Sequence, residues 1–99
     1  MNVQKKVNGS ALTLAIEGRL DTTTAPELES VISSSFDGID AVTLDLSALD
    51  YISSAGLRVL LSAQKKMTAK GGTLEVTGVN ETVGEIFEVT GFSDILTIV

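Results

Sequence analysis

Two adjacent serines followed by a small residue and a glycine, Ser53-Ser54-Ala55-Gly56, are the residues of this chain best suited to chemistry. At such a turn a serine hydroxyl can cap a helix, attack a substrate, or accept a group such as phosphate. Attack needs a base, and the 99 residues include no His and no Cys. Serine triads, cysteine nucleophiles and most zinc sites therefore cannot be assembled. No lysine lies close in sequence to serve as a substitute base. The turn reads Ile52-Ser53-Ser54-Ala55-Gly56, which is not the Gly-x-Ser-x-Gly of a nucleophile elbow. Gly71-Gly72 is too short to cradle a phosphate chain, and no Walker pattern exists. The expectation is a binding protein rather than an enzyme, with no cofactor of its own.

Serines at a turn act only if rigid elements hold them. Val3, Lys5 and Val7 alternate, Asn8-Gly9 signals a type I′ turn, and Leu12, Leu14 and Ile16 alternate after it. This predicts an N-terminal hairpin. Gly18-Arg19-Leu20-Asp21 leaves the strand. Thr24 and Glu27 have capping-box spacing, and Pro26 sits in the tolerant first turn of a helix. Its apolar stripe is Leu28, Val31, Ile32 and Phe36, and Asp37-Gly38 ends it. Val42, Leu44 and Leu46 predict a strand with one buried face.

From Ser54 the pattern becomes helical, with Leu57, Leu60, Leu61 and Met67 on one side. Lys65, Lys66 and Lys70 gather towards its C-terminus, where cations suit the dipole, and read as a solvated helix end. Gly71-Gly72 stops it. Leu74 and Val76 mark another strand, and Asn80 begins a third helix bearing Val83, Ile86 and Phe87. Gly91 suits a left-handed cap, Phe92 folds back over the last turn, and residues 95–99 form a short final strand. The order is β-β-α-β-α-β-α-β. Crossovers make strands parallel, so residues 1–99 are expected to form one α/β domain. Its sheet is mixed but mostly parallel, with an antiparallel first hairpin, three or more helices, and one face covered better than the other.

In such sheets functional groups collect at the carboxyl ends of strands. Two connections carry polar residues there: Asp21-Thr22-Thr23-Thr24, and the stretch from Asp50 to Gly56. The Ser54 hydroxyl either caps the helix or accepts a group. Gly56 permits close packing. Asp21 either caps the threonine-rich turn or stands beside Ser54. Leu57 reads as core, and Arg58 as an exposed cation able to pair with an acidic partner residue.

Net charge is −6 and the pI is near 4.4. Phosphate backbones would be repelled overall, so nucleic acid is not an expected partner. No apolar run approaches a membrane span, and no signal-peptide pattern follows Met1. Without cysteines, the reducing cytoplasm is the expected compartment.

The run Val42-Thr43-Leu44-Asp45-Leu46-Ser47-Ala48-Leu49-Asp50-Tyr51-Ile52-Ser53-Ser54-Ala55-Gly56-Leu57 resembles the signature of STAS domains. It is most similar to the free-standing anti-sigma factor antagonists. Gly18-Arg19-Leu20-Asp21 also resembles the family's Gly-x-Leu-Asp, and Gly91-Phe92-x-x-Ile95-Leu96 its closing segment. The resemblance implies a phosphoacceptor at Ser54, two places before the motif glycine, with Ser53 as a weaker alternative. At Ser53 the family often has Asp. It implies a partner surface of Asp21, Thr22, Ser53, Ser54, Ala55, Gly56, Leu57 and Arg58. It also implies two protein partners: an anti-sigma factor that is a serine kinase, and a serine phosphatase. The alternative is a STAS interaction or nucleotide-binding module in another sensory or transporter setting.

Overall fold

Leu12, Leu14 and Ile16, then Val42 and Leu44, then Leu74 and Val76 bury every second side chain of three neighbouring strands. A computed structural model describes all residues, 1–99. Its elements run β1 (Asn2–Asn8), β2 (Ala11–Leu20), α1 (Ala25–Ser35), β3 (Ala41–Asp45), β4 (Leu49–Ile52), α2 (Ser54–Ala69), β5 (Thr73–Thr77), α3 (Glu81–Thr90), a 3-10 turn (Phe92–Asp94) and β6 (Thr97–Ile98). The sheet order is β1-β2-β3-β5-β6, with β4 pairing β2 beyond the stretch used by β3. Only the β1–β2 pair is antiparallel. The helix layer covers the apolar face. Thr13, Ala15, Thr43 and Asp45 on the opposite face stay half-exposed, and Glu75 is exposed.

The hairpin forms, but its turn differs from expectation. Asn8 pairs with Ala11, so Gly9-Ser10 are the central residues. Gly9 has φ +63° and Ser10 is not left-handed, whereas type I′ needs both central residues left-handed. Glycine first, with one positive φ, is the type II′ pattern. The expected capping box also fails to form. Thr24 is the N-cap of α1 but makes no side-chain cap bond. Its hydroxyl instead accepts from Asp21 N at 2.9 Å and donates to Arg19 O at 2.8 Å.

The strand β4 was not legible as a strand because it does not alternate. Gly18 pairs with Leu49 and Arg19 with Tyr51, leaving Asp50 as an extra, bulged residue. Leu49 and Ile52 are therefore both buried although three apart, and Asp50 is exposed. The final strand is shorter than 95–99, because the 3-10 turn consumes the approach to it.

Long-range contacts set the helices. Lys66 Nζ lies 3.2 Å from Glu29 Oε1, and Lys70 Nζ donates to the Phe36 carbonyl oxygen. Two of the three lysines expected to be merely solvated thus bridge α2 to α1 and the segment after it. Asn80 caps α3 as expected, accepting from Val83 N at 2.9 Å, and also donates to Leu49 O at 2.6 Å. Gly91, at φ +81°, closes α3, and Phe92 packs partly buried against the core.

Helix α2 approaches the sheet closely at Gly56 in its first turn. A Cβ there would lie 2.7 Å from Leu20 Cγ, 2.8 Å from Ile52 Cγ1 and 2.9 Å from Leu20 O. At Gly84 in α3 the nearest atom would be Val79 Cγ1, at 3.4 Å. Alanine is the better helix former by about 1 kcal/mol, but overpacking costs about 1–3 kcal/mol. Gly56→Ala is therefore expected to lose up to about 2 kcal/mol of stability. Gly84→Ala should be neutral or gain up to about 1 kcal/mol. Urea unfolding of both variants checks the pair; equal effects would contradict the packing account.

Candidate functional site

The carboxyl ends of β2 and β4 lie side by side. Leu20 pairs with Ile52, and Ser53 N donates to Leu20 O at 2.9 Å. That bond ends β4 and turns the chain into α2. Ser53 is extended, at φ −98° and ψ 176°, which is N-cap backbone. Its hydroxyl accepts from Gly56 N at a long 3.4 Å, and its carbonyl accepts from Leu57 N at 2.9 Å.

This separates the two serines. Ser53, half-buried, is the cap; of the two readings of the Ser54 hydroxyl, the capping one is not realised. Ser54 is the first helical residue, exposed, and its hydroxyl makes no hydrogen bond within the chain. N-cap side chains reach forward to the second or third helical N–H, and only the extended residue has that geometry. Serine at the next position points outward. Ala55 is half-buried, Gly56 and Leu57 are buried, and Arg58 is exposed one turn beyond Ser54. Gly56 serves close packing, and Leu57 serves the core.

Asp21 stands at the neighbouring strand end, next in chain to Leu20. Its Oδ1 accepts from Thr23 N at 3.0 Å, Thr24 N at 3.1 Å and Thr24 Oγ1 at 3.3 Å. The capping reading of Asp21 is realised, and it places the carboxylate at the same rim as Ser53. Thr22 is exposed in this turn. Arg19 Nε lies 3.7 Å from Asp21 Oδ2, and the guanidinium lies 4.4 Å from the centroid of the Tyr51 ring. The pairing of Arg19 with Tyr51 across β2 and β4 sets up that contact. Sequence reasoning missed it, because the strand carrying Tyr51 was itself missed. No group of His, Cys, Asp or Glu side chains is arranged to hold a metal ion.

The Thr24 N–H holds the Asp21 carboxyl below its ordinary value of 3.8, with Thr23 N–H, the Thr24 hydroxyl and Arg19 adding to it against partial desolvation. The Ser47 N–H does the same for Asp45. A carboxylate with a lowered folded pKa stabilises the fold above its unfolded pKa. That stabilisation disappears as pH falls through the folded pKa. Asp21→Asn is thus expected to be less stable than wild type at neutral pH. The gap should close as pH drops well below about 4. Thermal melts across that range check it; a gap independent of pH would contradict the ionic role.

Residues 2–99 match the STAS domain family. The chain is 37% identical to BtrV, a candidate anti-sigma factor antagonist of Bordetella bronchiseptica, over 94% of this chain and 80% of that protein. It is 28% identical to the anti-sigma-B factor antagonist of Staphylococcus aureus, over 97% of this chain and 90% of that protein. Among solved structures, the Bacillus cell-fate determinant SpoIIAA in its phosphorylated form superposes with a TM-score of 0.77 at 18% identity. That match covers 99% of this chain and 91% of SpoIIAA. At that identity the likeness is one of fold. With the family matched over almost every residue and a close relative aligned along most of both chains, the protein belongs to the STAS domain family.

Proposed function

We propose that this chain is an anti-sigma factor antagonist switched by phosphorylation of Ser54. Unmodified, it binds an anti-sigma factor that is also a serine kinase, and the sigma factor is released. The kinase uses its own ATP and magnesium to transfer a phosphoryl group to the Ser54 oxygen, and a serine phosphatase removes it. The partner surface comprises Asp21, Thr22 and the run from Ser53 to Arg58.

One observation carries the reading. The Ser54 hydroxyl is exposed and free of any hydrogen bond in the chain, while Ser53 beside it supplies the helix cap. Modifying Ser54 therefore removes no interaction the fold uses. Relatives named as anti-sigma factor antagonists support the partner class. SpoIIAA, of the same fold, has been solved in a phosphorylated form.

The physics of the switch is a difference between two environments. A phosphate adds about −1.5 to −2 charge at pH 7. At the start of α2 the helix dipole stabilises it by about 0.3–1 kcal/mol, so the fold survives. Against a partner packed on the turn, a like-charge or steric clash costs several kcal/mol, and about 1.4 kcal/mol is already tenfold in affinity. The interface loses more than the helix gains.

The test is to incubate the protein with its serine-kinase anti-sigma factor and ATP, then map phosphate by mass spectrometry. Phosphate is expected on Ser54, retained in Ser53→Ala and absent in Ser54→Ala. Phosphate on Ser53 or elsewhere instead overturns the assignment. Ser54→Asp is expected to melt like wild type and bind the anti-sigma factor at least about tenfold more weakly by calorimetry.

A further inference from the structure

The outer face of α2 is chemically unlike the rest of the molecule. The chain has 13 acidic and 7 basic residues, yet α2 holds Arg58, Lys65 and Lys66 and no acid. Arg58, Leu61, Ser62, Lys65, Lys66 and Ala69 line a shallow depression open to solvent along this helix. Their spacing is i, i+3, i+4, i+7, i+8, i+11, one continuous stripe of the kind a second helix or an extended segment packs along. Ser54 lies four residues before Arg58 and opens the same stripe. The opposite side of α2 is buried through Leu57, Leu60, Ala63 and Met67.

The stripe is only partly committed within the chain. Glu29 of α1 is the one acid that reaches it, accepting from Lys66 Nζ at 3.2 Å and Ser62 Oγ at 3.4 Å. Arg58 and Lys65 are exposed and form no ion pair. Leu61, half-buried, and Ala69, exposed, put apolar surface between the cations.

We infer that this stripe is a second part of the partner surface, receiving an acidic segment of the anti-sigma factor while the serine turn is engaged. The inference rests on the function proposed above and adds the chemistry of what docks beside the switch. Free cations spaced along one face, with apolar surface between them, complement carboxylates on an amphipathic segment. The remaining candidates are less well matched. A second copy carries the same net charge of −6 and is repelled, as is an anionic membrane surface. The geometry also explains how one serine can govern a larger interface. A segment seated along α2 runs over Ser54, so phosphate at the head of the stripe meets the partner's own acids.

The experiment compares wild type with Arg58→Glu and Lys65→Glu, using the purified anti-sigma factor as probe. Both sites are exposed, so the variants should melt like wild type. Each is expected to weaken binding by at least about tenfold, mainly by slowing association, with the difference shrinking as salt rises. An acid-to-lysine reversal in the docking segment should restore affinity for Arg58→Glu. Unchanged affinity of Lys65→Glu, with Arg58→Glu weakened and wild type binding normally, overturns the stripe but not the proposed function. Failure of wild type to bind any anti-sigma factor overturns both. Two further arms test the other occupants, phosphatidylglycerol vesicles by flotation and self-association by sedimentation. A loss confined to either arm, with anti-sigma affinity unmoved, overturns the inference.

Discussion

The first turn of α2 sits tightly on the ends of β2 and β4, and the exposed rim depends on that contact. Gly56 has no side chain because Leu20 and Ile52 already fill the space where a Cβ would stand. That contact and the Ser53 N–Leu20 O bond fix the angle at which the helix leaves the sheet. Everything exposed at the rim is then held by backbone rather than by side-chain adjustment. Ser54 is presented on a surface that does not have to move for it to be reached.

Around that contact, polar groups fall into those the fold uses and those it leaves free. Asp21, Thr24 and Ser53 are used. They satisfy N–H groups of the two turns or meet the backbone of β2, and removing any of them exposes an unmet donor or acceptor. Ser54, Arg58 and Lys65 are free. Charge can be added or reversed at the free groups with little effect on folding, because they have no internal partner to lose. A switch that must be written and erased repeatedly is well served by such a division. Under the proposed switch, the modified atom would belong to the interface and not to the core.

Much of this was legible in the residue pattern, for identifiable reasons. Strict alternation at Leu12–Ile16 and Val42–Leu46 announced half-buried strands, and Asn80 and Gly91 announced both ends of α3. Where reading failed, a local rule was overridden by a contact distant in sequence. The bulge at Asp50 destroyed the alternation that would have revealed β4. Thr24 abandoned its capping box because Asp21 and Arg19 offered better partners at the strand end. Lys66 was read as solvated because its partner, Glu29, lies 37 residues away. At the serine pair, both residues are competent caps, and only the extended backbone of the first decides between them. The family resemblance singled out Ser54. Physical chemistry adds why its neighbour is occupied and it is not.

Under the proposed switch, charge at Ser54 changes what the protein binds while leaving the fold intact. Calorimetric titration of the anti-sigma factor with the unphosphorylated and the Ser54-phosphorylated protein, alongside backbone amide spectra of both forms, tests this most directly. At least about a tenfold loss of affinity is expected on phosphorylation, with spectral changes confined to the rim of the serine turn and the start of α2. Equal affinity in the two forms, or amide shifts spread through the sheet, would contradict the switch.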